Sequence, residues 1–251
     1  MEILSLVALA LVILGLAYCI RSLRALHTKL SKKSEQISRE IHKAAVESKK
    51  SSMTAYRQTE AFIQLSNLLQ FKAAIPPTRS WAASPDLLLL ISETVKKSKP
   101  SLVVELGSGV STLVVAKSGA RKVISIDNSE EFGGKTRELI REHKARGVEI
   151  RIAPLRPYAN GGEWYEVSAL KDLKKIDLLI IDGPPGSKNP EARYPALKEL
   201  KDKLSSKATI IIDDVNRDGE RKLAEDFAKA LPTHTITFFD HEKGTAVISP
   251  R

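Results

Sequence analysis

This sequence predicts a doubly wound α/β domain of seven strands with a reversed last strand, preceded by a membrane-spanning helix and a long helical stalk. Three observations carry the prediction. Short apolar runs, several ending in an acid, alternate with helical segments from about residue 101 onward. The run Leu102–Leu106 opens directly into Gly107-Ser108-Gly109, a strand-to-helix turn that brings bare backbone up to a ligand. The amino-terminal third has a different character, first uncharged and then strongly basic and free of helix breakers.

The uncharged run extends from Ile3 to Ile20. Those 18 residues make about 27 Å of helix, close to the roughly 30 Å hydrocarbon core of a bilayer. A cleaved signal peptide wants a basic leader, but only Met1 and Glu2 precede the run, and bulky Tyr18 stands before Cys19 where lipid attachment wants a small residue. The run is apolar on every face, unlike an amphipathic core helix, so residues 1–20 read as a retained single-pass anchor. Arg21, Arg24, Lys29, Lys32 and Lys33 follow it, which places the amino terminus outside the cell membrane and the carboxyl-terminal bulk in the cytoplasm. Cys19 is the only cysteine, so the remainder can hold neither a disulfide nor a cysteine-ligated metal.

Residues 21–75 hold 11 Lys and Arg against 4 acids, a net of +7 out of +10 for the chain. Basic character confined to the segment beside a bilayer suits anionic lipid headgroups or a solvated helix face. Nucleic acid would call instead for a basic, aromatic-interleaved patch on the folded domain. No proline or glycine occurs between Leu16 and Ile75, and Ile37, Ile41, Ala44, Phe62, Leu65 and Leu69 lie on one stripe. From Ala44 to Gln58 that seam holds Ala, Ser and Gln, so a weak parallel homo-oligomer and a lone helix both remain open, and Phe62 to Leu69 can equally pack on the following domain. Pro76-Pro77 is expected to end the stalk, with a separate folded domain at 76–251.

Ser84 can cap the next helix, Pro85 suits its first position and Asp86 its positive end. Strands are expected near 101–106, 122–127, 148–153, 176–182, 207–213, 234–239 and 244–249. The last two are separated by only His241-Glu242-Lys243-Gly244, too short for a crossover, so they form an antiparallel hairpin.

Chemistry in such a sheet gathers at the carboxyl ends of its strands. Glu105 stands before the glycine turn, where a carboxylate suits a cationic ligand group better than a pyrophosphate, and Thr112 stands where a dinucleotide fingerprint would place a third glycine. The second strand ends in Asp127, placed to accept hydrogen bonds from two ribose hydroxyls. Purely structural roles also stand open: Gly107 and Gly109 closing a tight turn, Asp127 capping the helix that begins near Ser129.

In Glu105, the turn and Asp127, in this order, the sequence resembles the class I S-adenosylmethionine-dependent methyltransferases, whose Rossmann-like sheet also ends in a reversed strand. The resemblance implies S-adenosylmethionine held by Glu105, Gly107, Ser108, Gly109, Asp127, Asn128 and Asp182, with a nicotinamide-dependent oxidoreductase as the rival in the same architecture. The fourth strand delivers Asp182 into Gly183-Pro184-Pro185-Gly186, and the fifth delivers Asp213-Asp214. Three clustered carboxylates repel unless something positive lies between them, and hard oxygens suit Mg²⁺ or Ca²⁺. This is similar to the metal-dependent O-methyltransferases of the catechol and caffeoyl-coenzyme A type, which implies a divalent cation on Asp182, Asp213 and Asp214 that activates an acceptor hydroxyl. Pro185 stands where those enzymes carry a lysine base, leaving Asp182 or Lys188 as the catalytic base. Capping is the alternative for these acids: Asp182 on the proline turn, and one of Asp213-Asp214 on a helix from about Arg217.

Gly183-Pro184-Pro185-Gly186 does not match the Asp-Pro-Pro-Tyr loop of amino-methylating DNA enzymes, because no aromatic follows the prolines, so nucleic acid is not the expected substrate. The segments Arg79–Pro85 and Arg193–Leu197 resemble a prokaryotic group of uncharacterised class I methyltransferases, some associated with glycan modification. Arg79, Trp81, Tyr158 and Trp164 could wall the ligand or pack as core and lid, while His143 and His234 read as structural. The expected activity is methyl transfer to a hydroxyl of a small-molecule, sugar or lipid-linked acceptor. A membrane-tethered scaffold with an inactive methyltransferase fold is the alternative.

Overall fold

The computed structural model describes residues 2–159, 161–186 and 189–251. The chain forms two compact units, 1–55 and 56–251. Helix α1 runs without interruption from Glu2 to Leu69. Its described residues up to 50 are all exposed, and it contains an 18-residue window of mean hydropathy 2.8, so it is long and apolar enough to cross a membrane. The helix stops at Leu69, before the Pro76 that the sequence offers as its terminator, because Gln70 turns into the left-handed region (φ 45°) with its amide still bonded to the Ser66 carbonyl. Its last turns belong to the second unit: Ala61, Leu65 and Leu69 are buried there against Leu87, Leu88 and Ile91 of α2 (Pro85–Ser98).

Seven strands form the sheet: β1 (Leu102–Leu106), β2 (Lys122–Asp127), β3 (Val148–Ile152), β6 (Ile176–Ile181), β7 (Leu204–Asp213), β8 (His234–Phe239) and β9 (Thr245–Pro250). Their order is β3-β2-β1-β6-β7-β9-β8, with β9 antiparallel to both neighbours. The reversed last strand is as expected, and it does not lie at the edge: it inserts between β7 and β8. Burial explains the choice, since Thr245, Ala246 and Ile248 of β9 are buried while Thr235, Thr237 and Phe238 of β8 are exposed, which suits an edge. The alternation of the strands divides the core. Val103, Val123, Leu178 and Ile180 face α2, α3 (Val110–Lys117) and α4 (Glu130–Glu142); Val104, Leu106, Leu179 and Ile181 face α5 (Pro195–Leu200) and α6 (Asp218–Ala230). A short antiparallel pair absent from the sequence reading, β4 (Leu155–Pro157) and β5 (Glu163–Tyr165), carries Trp164 and Tyr165 into the second cluster.

Ser84 sits at the start of α2 but does not cap it, because its hydroxyl donates to Asp86 Oδ1 at 2.5 Å. Asp86 instead joins three segments, accepting from Gln58 Nε2 (2.6 Å) of α1 and from the Glu242 amide (2.9 Å) of the β8–β9 turn. His143 and His234 are structural, as expected: His143 is buried edge-on to Phe71 and accepts from the Lys72 amide, and His234 lies 3.0 Å from the Ala208 carbonyl.

Candidate active site

The glycine turn is stitched to the strand ends on either side. The Gly107 amide donates to the Ile126 carbonyl (2.8 Å) and the Asp182 amide to the Leu106 carbonyl (3.0 Å). Gly107 has φ 92° and an added Cβ would meet the Asp182 backbone at 3.3 Å, so only glycine serves there. Asp127 fixes the other side, one oxygen accepting from the Ser108 amide (3.0 Å) and hydroxyl (2.6 Å), the other from the Ser129 amide (2.8 Å). Asp127 therefore ties the glycine turn to the start of α4 and also lines the cleft above it, while the helix cap expected of it is made by Ser129, whose hydroxyl accepts from the Phe132 amide.

That cleft, about 210 Å³, is bounded by Gly107, Ser108, Gly109, Asp127, Asn128 and Asp182, with Trp81, Phe132 and Tyr165 as its aromatic walls. Glu105 does not reach it. The carboxyl is fully buried beneath the turn, accepting from Thr112 Oγ1 (2.5 Å) and Ser125 Oγ (2.9 Å), and Thr112 in turn accepts from the Gly109 amide (3.0 Å) at the start of α3. Burial pushes the Glu105 carboxyl up to about 7 against those hydroxyl donors. Thr112, where a dinucleotide site wants glycine, is thus the link between the buried acid and the helix start.

A second pocket of about 380 Å³ adjoins the first, lined by Ser80, Trp81, Asp182, Arg193, Asp214 and Lys243 among others. Trp81, Asp182 and Pro185 border both. Asp182, Asp213 and Asp214 do converge, each offering an oxygen within 4.8 Å of the others. Three basic side chains converge with them. Arg193, almost fully buried, lies 3.2 Å from Asp182 and 2.9 Å from Asp214; Arg217 lies 2.9 Å from Asp214; Lys243 Nζ lies 2.9 Å from Asp213 Oδ2 and 3.6 Å from Asp214 Oδ1. Burial, then the Asp213 charge, pushes Asp182 up to about 8 against the pull of Arg193 and Lys243. Burial pulls the Lys243 ammonium down, but Asp213 and Asp182 more than compensate and its pKa is raised.

The methyltransferase-domain family profile matches residues 104–215, the stretch from β1 to just past β7 that holds the glycine turn, Asp127, Asp182 and Asp213-Asp214. Over that stretch the chain is similar to the methyltransferase-domain family. Solved structures with the same fold include an S-adenosylhomocysteine-bound methyltransferase of Podospora anserina (16% identity, TM-score 0.57, covering 81% of this chain and 95% of that one). An O-methyltransferase of Bacillus cereus in complex with S-adenosylhomocysteine is similar at 16% identity and TM-score 0.56, covering 80% and 97%. The tomaymycin-synthesis O-methyltransferase of Streptomyces achromogenes, bound to S-adenosylmethionine, is similar at 13% and 0.54, covering 79% and 96%. No curated protein sequence matches the chain.

The cleft fits a methyl donor such as S-adenosylmethionine. Glycine backbone approaches from below, Asp127 and Asn128 offer acceptors at the rim, and the buried Tyr165 hydroxyl has no hydrogen-bond partner among the described residues. A divalent cation on Asp182, Asp213 and Asp214 fits poorly, because the Lys243 ammonium and the Arg193 guanidinium already stand against the carboxylates that would bind it. The expected helix-capping role for Asp213-Asp214 is replaced by these ion pairs. Lys188, the other candidate base, lies outside the described residues. Trp164 is not a cleft wall but wholly buried core, and Tyr158 donates to Glu199 beside a separate hollow of about 500 Å³. Trp81, 80% exposed, does stand over both pockets. Lys243, Arg217 and Tyr165 were not singled out from sequence; Lys243-Gly244, a turn signal in the hairpin, was the available pointer.

Proposed function

We propose that this chain is a membrane-anchored O-methyltransferase that uses S-adenosylmethionine to methylate a hydroxyl of a small-molecule, sugar or lipid-linked acceptor. The observation that carries the reading is the position of Asp182, which borders both the donor cleft and the polar pocket beside it. An acceptor in the second pocket would present its hydroxyl to a carboxylate made more basic by burial, and Asp182 takes the proton. When bound, S-adenosylmethionine would supply a methyl group activated on a sulfonium, transferred to the acceptor oxygen with the carbon–sulfur electron pair leaving on sulfur. Ionisation near pH 8 makes transfer rise with pH through that region. Trp81 borders both pockets where they meet, and the strand tips hold the reacting groups in line.

The anchor supports the same reading. An uncharged run followed by Arg21, Arg24, Lys29, Lys32 and Lys33 suits one span with the methyltransferase domain in the cytoplasm, the basic stalk facing anionic headgroups. Calorimetry of the full chain in detergent with S-adenosylhomocysteine tests the function. Stoichiometric binding is expected. Absence of heat at millimolar ligand, or preference for a nicotinamide dinucleotide, defeats the reading.

A further inference from the structure

We infer that the Lys243 ammonium is the resident cation of this site, standing in the carboxylate cluster where related chemistry would place a divalent metal ion. The inference rests on the methyltransferase reading. Asp213 is buried on every side, with Oδ2 2.9 Å from Lys243 Nζ and Oδ1 lacking a hydrogen-bond partner among the described residues. A carboxylate in that position needs a positive charge, and the nearest is Lys243, whose side chain is only 19% exposed and also lies 3.6 Å from Asp214.

The fold holds that ammonium in place. Lys243 lies at the tip of the β8–β9 turn, and the turn is tied down from three sides. The Asn216 amide donates to the Lys243 carbonyl and the Val215 amide to the Gly244 carbonyl, both at 3.2 Å. Gly244, with φ 75° and Asn216 packed where a Cβ would stand, lets the tip lie flat on the loop after β7. Glu242, the preceding residue, is bonded through its amide to Asp86 and through its carboxylate to Arg79 at 2.8 Å. A lysine on so constrained a turn is a fixed charge rather than a mobile surface arm. It lines the same pocket as Asp182, so an acceptor oxygen losing its proton to Asp182 develops its negative charge near a preorganised ammonium, the service a metal would otherwise perform.

Mn²⁺ titration of the full chain in detergent, followed by electron paramagnetic resonance, separates the possibilities. The wild-type chain is expected to take up no stoichiometric Mn²⁺ below about 1 mM, and Lys243→Arg, which keeps the charge, to behave likewise. Lys243→Met removes the charge while keeping an unbranched chain, frees Asp213 and Asp214 Oδ1 while Arg193 and Arg217 stay on Asp182 Oδ1 and Asp214 Oδ2, and should bind one Mn²⁺ at least about tenfold more tightly than wild type. Lys243 does not line the donor cleft, so the Met variant should keep wild-type affinity for S-adenosylhomocysteine, which also reports that it folds. A Met variant that binds S-adenosylhomocysteine normally but gains no Mn²⁺ overturns the inference. So does a wild-type chain that binds one Mn²⁺ at micromolar concentration and loses it in Asp213→Asn, a result that needs no variant at Lys243. Failure of the wild-type chain to bind S-adenosylhomocysteine would defeat the methyltransferase reading instead, and the Mn²⁺ result would stand apart from it.

Discussion

Replacing Asp127 with Asn separates the two roles the structure gives this carboxylate. Its oxygens serve opposite sides of the turn: Oδ2 accepts from the Ser108 amide and hydroxyl, Oδ1 from the Ser129 amide. An asparagine has one acceptor oxygen, so one side keeps its bond and the other meets an NH₂ group that also wants to donate. Asp127 is 5% exposed, so little solvent is at hand to repair the mismatch. A hydrogen bond to a charged acceptor is worth about 1.5–3 kcal/mol, which at 1.4 kcal/mol per decade corresponds to roughly 10- to 150-fold in affinity if all of it falls on the bound state. Titration calorimetry with S-adenosylhomocysteine on the full chain, beside thermal unfolding of the same preparation, measures both shares. The expected result is weaker binding by at least about tenfold, with a smaller loss of stability. Binding within about threefold of wild type would refute the placement of the donor against Asp127.

Two further outcomes are expected. Glu105 has its folded pKa raised from 4.5 to about 7, so its contribution to stability is complete below pH 4.5 and is lost as the pH rises through 7; Glu105→Gln should flatten that slope while leaving S-adenosylhomocysteine affinity within about threefold, and a large affinity loss would return the carboxyl to the donor site. External protease on sealed cells should spare the domain after Arg21 and reach only the amino terminus, whereas digestion of the domain would reverse the proposed topology.

The sheet and the strand-tip acids were legible because both are written in short windows. Each of Glu105, Asp127, Asp182 and Asp213 follows an apolar run, and such a run with a turn residue after it is a local signal. The alternation of side chains along a strand could have corrected the reading of Glu105. Val103 faces α2 and α3, so Glu105 two residues on does too, and the register sets it opposite Ser125, one of its hydrogen-bond donors. The early end of α1 was not legible from helix breakers, because Gln70 adopts a conformation that glycine usually marks and Leu65 and Leu69 are held by packing on α2. Nor was the Trp164 assignment: two three-residue strands carry too little periodicity to show that this residue points inward.

The cations of the site were hidden for a different reason. Arg193, Arg217 and Lys243 come from three segments, and only the insertion of β9 between β7 and β8 brings the β8–β9 turn over the end of β7. Clustered carboxylates in a sequence therefore state a demand for positive charge without saying what meets it. A metal ion and a buried ammonium answer that demand equally well in one dimension. They part company in three, because a lysine fixed on a glycine-backed turn excludes the metal from the position it fills. The reversed hairpin is thus more than an edge solution for the sheet: it carries Lys243 to Asp213 and Asp214, where it meets the charge that buried carboxylates need.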